Sequence, residues 1–227
     1  MSGEAGGRVG RTLSVVTGLY AGAPEALWPG KPQSAIAKRP VVGRAQLSPE
    51  GLDVDAQADR RVHGGVDKAL HHYPADHYPV WAEESPDRAE RFRAGGFGEN
   101  ISTMGLTERD LCLGDVIAIG DAEVEVSHGR RPCWKLNAHL EQPDLAARMQ
   151  KNGRTGWYYR VRRPGEIGVG DALILKGRPQ PDWPLARVIG ALFNPRLTRE
   201  EAAAAAALPE LAEAWRKDFR RIADAPD

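Results

Sequence analysis

The sequence predicts a mainly β (α+β) fold followed by a small C-terminal α-helical domain, and three observations carry the prediction. Val116–Ile119 and residues 122–127 flank the two-residue turn Gly120-Asp121, and the return run alternates Val124 and Val126 with Glu123 and Glu125. That is the pattern of a β-hairpin with one apolar face. Gly170-Asp171 followed by Ala172-Leu173-Ile174-Leu175 repeats the Gly114-Asp115-plus-apolar opening of that hairpin. Near Pro179 the composition changes, and six consecutive alanines and the series Leu211, Trp215, Phe219, Ile222 fall at helical spacing.

The elements follow in order. Residues 1–10, glycine-rich and charged, read as an arm. Residues 13–20 are rich in β-formers and read as the first strand. A proline-rich stretch leads to Ala35-Ile36-Ala37, a short strand that delivers Lys38; Lys31 and Lys38, taken alone, read as solvated surface lysines. Residues 41–59 are short strand and loop around a Pro49-Glu50-Gly51 turn. Residues 75–84 read as a helix bent or delayed by Pro79. Ser85-Pro86-Asp87 starts a second helix, with Ser85 as its cap and Gly95-Gly96 as its stop. A helix over about 143–151, closed by Asn152-Gly153, precedes an aromatic strand over 156–161. After a proline-rich linker at 179–184, Leu185–Phe193 and residues 198–222 are helical. Thr198-Arg199-Glu200-Glu201 opens the second of these as a capping box, and Pro209 divides it. The resulting boundaries are 1–10 for the arm, 11–178 for the β domain and 183–227 for the helical domain.

Composition limits the function classes. The 227-residue chain holds 31 basic and 31 acidic side chains, with 41% hydrophobic and 27% charged residues. Balanced charge argues against a nucleic-acid polymer or an anionic membrane as the main partner, since both need a basic surplus. A local basic pocket stays compatible. Cys112 and Cys133 are too few for a disulfide framework or a cysteine zinc site. No apolar run reaches membrane-spanning length, and the opening residues lack the apolar core of a signal peptide. The expected compartment is the reducing cytoplasm.

The candidate chemistry centres on residues 128–137, HGRRPCWKLN. Cys133 lies among Arg130, Arg131 and Lys135, with His128 close in sequence. Neighbouring cations favour the thiolate, which is both a nucleophile and a soft metal ligand. On those charges alone a small buried filler is an equal reading, because unpaired cysteine is often buried. Strand parity continues the apolar side to His128, so Cys133 follows a strand end aimed at the interior or at a cavity mouth. Cys112, inside Leu111-Cys112-Leu113, reads as packing. In residues 62–74, VHGGVDKALHHYP, the pair Gly64-Gly65 can expose backbone N–H groups to an anion beside His63 and Lys68. His63, His71, His72 and His77 match no helical metal-binding spacing joined to a carboxylate, so a protein-only metal site is not expected. Asn100, next to Glu99, carries the donor and acceptor that read a heterocycle edge, or serves simply as a turn residue.

Four motifs in order, KPQSAIAK (31–38), VHGGVDKALHHYP (62–74), GFGENISTMGL (96–106) and RPCWKLN (131–137), resemble bacterial MOSC-domain proteins of the YiiM type. MOSC names the domain at the C-terminus of molybdenum cofactor sulfurases. The resemblance spans about residues 12–177, and the tail resembles the short helical domain of those proteins. Pro79 departs from it, standing where an ordinary helix residue is expected. The resemblance implies a β-barrel-like MOSC core with a few helices that binds the molybdenum cofactor (Mo-molybdopterin), with Cys133 as the thiolate ligand of the metal. It implies reduction of N-hydroxylated compounds, such as N-hydroxylated purine bases, with electrons from a separate flavoprotein or iron–sulfur protein. The cofactor-binding candidates are Lys38, His63, Gly64, Gly65, Lys68, Asn100, Arg130, Arg131, Lys135 and Asn137. Cations and glycine amides would serve the phosphate, and Asn100 and Asn137 the pterin edges. Cys133, His63 and His128 are the catalytic candidates; reducing N–OH to N–H consumes two protons and two electrons, and histidine titrates near neutrality. A cofactor carrier or sulfur-transfer module, with Cys133 as persulfide or ligand, would use the same cationic cysteine. A cysteine hydrolase pairing Cys133 with His63 or His128 is a third reading and lacks a nucleophile-elbow context. The oligomeric state, a homodimer included, is left open.

Overall fold

The structure, a computed structural model, describes residues 9–59, 64–194 and 196–225. The expected arm therefore lies outside the described residues except for Val9 and Gly10. Seven strands close into a barrel: β1 (Thr12–Ala21), β6 (Ile101–Thr103), β5 (Leu70–Pro74), β9 (Trp157–Arg163), β8 (Ala122–Gly129), β7 (Val116–Ile119) and β11 (Ala172–Gly177), which pairs back onto β1. Closure satisfies the edge groups that an open sheet would leave exposed. β5 and β6 run parallel, and the other barrel pairings are antiparallel. β2 (Arg39–Pro40) extends the end of β1, while β10 (Gly165–Gly168), β3 (Arg44–Ser48) and β4 (Gly51–Leu52) form a small separate sheet.

Alternation along each strand makes two cores. Leu70 of β5, Val124 and Val126 of β8, Trp157 and Tyr159 of β9, and Leu173 and Leu175 of β11 fill the barrel interior. His72 joins them fully satisfied, Nδ1 at 3.0 Å from the Tyr159 hydroxyl and Nε2 at 2.9 Å from that of Thr103. Burial lowers its pKa to about 3. On the outer face of the same strand, Tyr73 stacks on Phe97 at 4.2 Å and packs with Trp81, Leu136 and Met149. That second core lies under the helices His77–Glu84, Trp134–Leu140 and Leu145–Asn152.

Local chemistry explains the departures from expectation. Pro79 occupies the third position of the His77–Glu84 helix, where a backbone N–H has no intrahelical acceptor, so the proline costs no hydrogen bond. The helix expected after Ser85 is a 3-10 segment, Pro86–Arg91, interrupted by Arg88 at φ −134°. Ser85 does not cap it; its hydroxyl accepts from Arg148 Nη1 at 3.0 Å. Residues 35–37 form no strand, and an isolated bridge joins Glu25 to Ser34 instead. The tail forms three helices, Leu185–Phe193, Arg199–Ala206 and Glu213–Ala223, with Pro209 between the last two. Thr198 caps the second by accepting from the Glu201 N–H at 3.2 Å. Leu211, Trp215 and Phe219 are buried in a core continuous with the barrel's. Among the described residues no helix is long and apolar enough to cross a membrane.

Candidate active site

A bulge at Ser127 decides what the end of β8 presents. Val126 pairs with Tyr159, but the next registered pair is His128 with Tyr158. One residue is inserted, and the alternation reverses. Tyr159 faces the interior and Tyr158 faces out, so His128 faces out too. This corrects the inward orientation that uninterrupted parity predicts. The His128 ring stacks on Tyr158 at 5.2 Å and meets Trp215 edge-on at 5.6 Å, and the Ser127 hydroxyl lies 3.0 Å from its Nδ1. Burial, reinforced by Lys68, holds its pKa well below the ordinary value.

A cavity of about 620 Å³, open solvent at its mouth included, lies on this outer face of the barrel. His71 of β5 and Tyr158 of β9, cross-strand neighbours with rings 4.8 Å apart, line it from the barrel side. Segments 34–36 and 55–58, with Lys38, Lys68, Gly98 and Asn100, add further wall, and Arg130, Cys133 and Lys135 complete it where β8 ends. Cys133 is extended (φ −128°, ψ 173°), half-buried, and immediately precedes the Trp134–Leu140 helix. Leu136 and Leu140 sink that helix into the outer core, which fixes the thiol at the cavity wall. Among the described residues neither cysteine forms a disulfide.

Lys38 is not a solvated surface lysine. Its Nζ lies 2.5 and 2.7 Å from the two carboxylate oxygens of Asp55. Burial pushes its pKa down, and Asp55 opposes that shift. Asp55 also accepts from the Gly22 N–H at 2.7 Å and from Asn100 Nδ2 at 2.9 Å. The other Asn100 N–H goes to the Tyr20 carbonyl at 3.2 Å, and its Oδ1 accepts from the His71 N–H at 3.1 Å. Both donors of the amide are therefore taken, so Asn100 orients Asp55 and ties strand ends together, in place of the open pterin-reading edge expected of it. Arg130 donates its backbone N–H to Gly156 at 3.0 Å and Nη1 to the Phe97 carbonyl at 2.6 Å. Lys135 Nζ reaches the Gln33 carbonyl at 3.4 Å. Burial and the like charge of Arg131 lower the pKa of Lys68.

His71, Asp55 and Tyr158 belong to the site and escape sequence reasoning. His71 Nδ1 lies 3.2 Å from the Gly98 carbonyl, which can only accept, so Nδ1 carries the proton and Nε2 the lone pair. That Nε2 is buried and has no partner. Burial, with Arg130 adding like charge, keeps the ring neutral. Buried Glu99 acts one step back: it accepts from the Gly95 and Phe97 N–H groups at 2.5 and 3.0 Å and from the Tyr78 hydroxyl, holding the loop whose carbonyls take Arg130 and His71.

Other expected residues are elsewhere. Arg131 pairs with Asp218 of the last helix at 2.5 Å. Asn137 donates to the Pro143 carbonyl at 2.6 Å and accepts from the Ala146 N–H at 2.7 Å, clipping two helices together instead of reaching a pterin. Gly65 (φ 96°) opens the 3-10 turn Val66–Lys68, and neither it nor Gly64 lines the cavity, so these glycines do not form the expected phosphate cradle there. His128 does not line it either, which leaves Cys133 without that histidine as a hydrolase base. His63 lies outside the described residues. Among the described residues no group of three or more His, Cys, Asp or Glu could hold a metal ion.

A seven-stranded barrel with a cationic, thiol-bearing cavity on its outer wall and a three-helix tail defines a class. Residues 59–174 match the MOSC domain, and residues 183–221 match the YiiM-like, 3-alpha helix domain. The chain belongs to the MOSC-domain family, in its YiiM-like form. It is 48% identical over 160 residues to Protein YiiM of Escherichia coli (strain K12), covering 70% of this chain and 71% of that protein. It is 38% identical over 160 residues to a protein of Gibberella moniliformis named Reductase, covering 70% of this chain and 28% of that protein. The crystal structure of YiiM from Geobacillus stearothermophilus superposes with a TM-score of 0.77 at 30% identity, over 92% of this chain and 99% of that one.

Proposed function

We propose that this chain is a molybdenum cofactor-dependent oxidoreductase that reduces N-hydroxylated compounds, N-hydroxylated purine bases among them. The observation that carries the reading is one thiol, Cys133, on the wall of a cavity that also gathers Lys38, Lys68, Arg130 and Lys135. The donor set fits the cofactor's chemistry: cations for its phosphate, one soft sulfur for its metal, and the partnerless lone pair of His71 Nε2 for a hydrogen-bonding ring system. Family membership and the relative named Reductase support the same class of reaction.

In this reading Cys133 holds the metal through its sulfur. Arg130 and Lys135 would bind the phosphate, while the Lys38–Asp55 pair is committed to the wall. When bound, the cofactor supplies two-electron redox chemistry, and the protein orients and tunes it. The net change is R₂N–OH + 2H⁺ + 2e⁻ → R₂N–H + H₂O, so protons must reach the hydroxyl oxygen and the nitrogen. His71 and His128 are held neutral, which makes them poor acids. Lys68, with its pKa lowered by burial, is the candidate proton donor at the wall. Electrons come from a separate flavoprotein or iron–sulfur protein, and the protein works in the cytoplasm.

The test is metal analysis of protein from a cofactor-making host, joined to reduction of an N-hydroxylated purine by an artificial donor. Cys133→Ser should lose turnover by about 100-fold or more and retain less molybdenum, with the fold intact. Cys112→Ser should remain active, because Cys112 is buried against the Pro181 carbonyl, away from the cavity. Full activity in Cys133→Ser would sink the ligand assignment. Molybdenum-loaded wild type that reduces nothing would favour the carrier or sulfur-transfer reading.

A further inference from the structure

The C-terminal helices touch the barrel at the segment that carries the site thiol. Ala212 donates its N–H to the Ser127 carbonyl at 3.1 Å. His128 packs edge-on against Trp215. At Gly129 an added Cβ would sit 2.3 Å from Ile189 Cγ1 and 2.9 Å from Trp215 Cη2, so backbone and helices meet with no space between them. Arg131 reaches Asp218, on the same helix as Trp215. Residues 127, 128, 129 and 131 thus contact the tail, while Arg130 and Cys133 line the cavity. The strand ends at Gly129, and the short run that follows it is shared between the tail on one side and the cavity on the other. Pro132 joins Arg131 to Cys133 with its φ fixed, which stiffens the link.

We propose that the C-terminal helical unit is a positioning element of the site: it clamps residues 127–131 and so sets where the Cys133 sulfur and the Arg130 guanidinium stand in the cavity. The clamp concerns thiol placement and holds whatever the reaction; its effect on turnover rests on the reductase reading. A methyl group at Gly129 has nowhere to go except into the helices, so either they or the strand end must move. Reacting groups displaced by about 1 Å can lose on the order of 100-fold in rate.

The experiment uses the full-length chain. The rate of Cys133 alkylation by iodoacetamide is followed peptide by peptide, so that buried Cys112 is read separately. Gly129→Ala should change the Cys133 rate by about fivefold or more and leave the Cys112 rate alone. Ile189→Ala in that background removes the two nearest of the three colliding atoms, leaving only Trp215 Cη2 at 2.9 Å, and should return the rate to within about twofold of wild type. Asp218→Asn should move the rate in the same direction as Gly129→Ala, and Asp218→Glu should not. In cofactor-loaded protein the same variants should lower kcat by about tenfold with KM little changed, and with the same rescue. A folded Gly129→Ala protein with an unaltered Cys133 rate would overturn the clamp, as would a change that Ile189→Ala fails to reverse. Should Gly129→Ala not fold, Asp218→Asn decides, and an unchanged rate there overturns the clamp. If the alkylation pattern holds while wild type reduces nothing, the clamp stands and the reductase reading falls.

Discussion

Lys38 and Asp55 are both withdrawn from water, at 7% and 3% side-chain exposure, and each compensates the other's charge. Removing one partner of such a pair costs about 3–5 kcal/mol, because the remaining charge stays buried without its counter-ion. Lys38→Met and Asp55→Asn should each destabilise by roughly that amount, and the double variant by clearly less than the sum. Urea unfolding of the three variants measures the coupling; additive losses would mean that the pair is not a unit. Nothing in Ala35-Ile36-Ala37-Lys38 announces this partner, which lies 17 residues further along the chain. The same limit explains what else was legible at the site. Arg130, Cys133 and Lys135 stand in one short run of sequence, so their shared chemistry shows in the sequence itself. Asp55, His71 and Tyr158 are each ordinary in their local context and acquire a role only through distant partners, His71 and Tyr158 by strand pairing and Asp55 by its bonds to Lys38 and Asn100.

The hairpin was legible because period-two alternation and a Gly-Asp turn agree with each other. The Trp134–Leu140 helix was not: it is seven residues long and begins at an extended residue with no capping side chain. The bulge at Ser127 was equally silent, since an inserted residue leaves no signature in an alternating sequence, yet it turns His128 to the outer face of the barrel. Asn137 shows how element-scale structure absorbs a residue that resembles a ligand-binding group. Its amide satisfies one carbonyl and one N–H between the Trp134–Leu140 and Leu145–Asn152 helices. Asn137→Ala would leave both without this partner and should destabilise by about 1–3 kcal/mol. Cofactor affinity should stay within about twofold of wild type once the loss of folded protein is allowed for, as expected of a group outside the site. Thermal melts and a cofactor titration check the two halves, and a large affinity loss with unchanged stability would return Asn137 to the pterin.

Closing seven strands into a barrel, covering one wall with helices and docking the tail on another side leaves the imidazoles of His71, His72 and His128 at only 3%, 0% and 1% exposure. Burial depresses all three pKa values, that of His72 to about 3. In the unfolded chain each titrates near its ordinary value of about 6.5. Below that pH the unfolded state binds protons that the folded state refuses, so stability falls as the solution is acidified. The contribution is fully present above pH of about 6.5 and is lost as pH drops toward the folded-state values, at about 1.4 kcal/mol per pH unit for each histidine. With three such groups the slope reaches about 4 kcal/mol per pH unit, a large share of the roughly 5–15 kcal/mol that stabilises a typical domain. Urea midpoints should therefore hold steady from pH 8 to about 6.5 and fall steeply by pH of about 5. Replacing His72 by Gln, which keeps a donor and an acceptor for Tyr159 and Thr103, should make that fall shallower. A midpoint that stays flat down to pH of about 5 would show that these rings accept protons inside the fold. In that case His71, which lines the cavity, becomes a candidate proton donor for the proposed reduction.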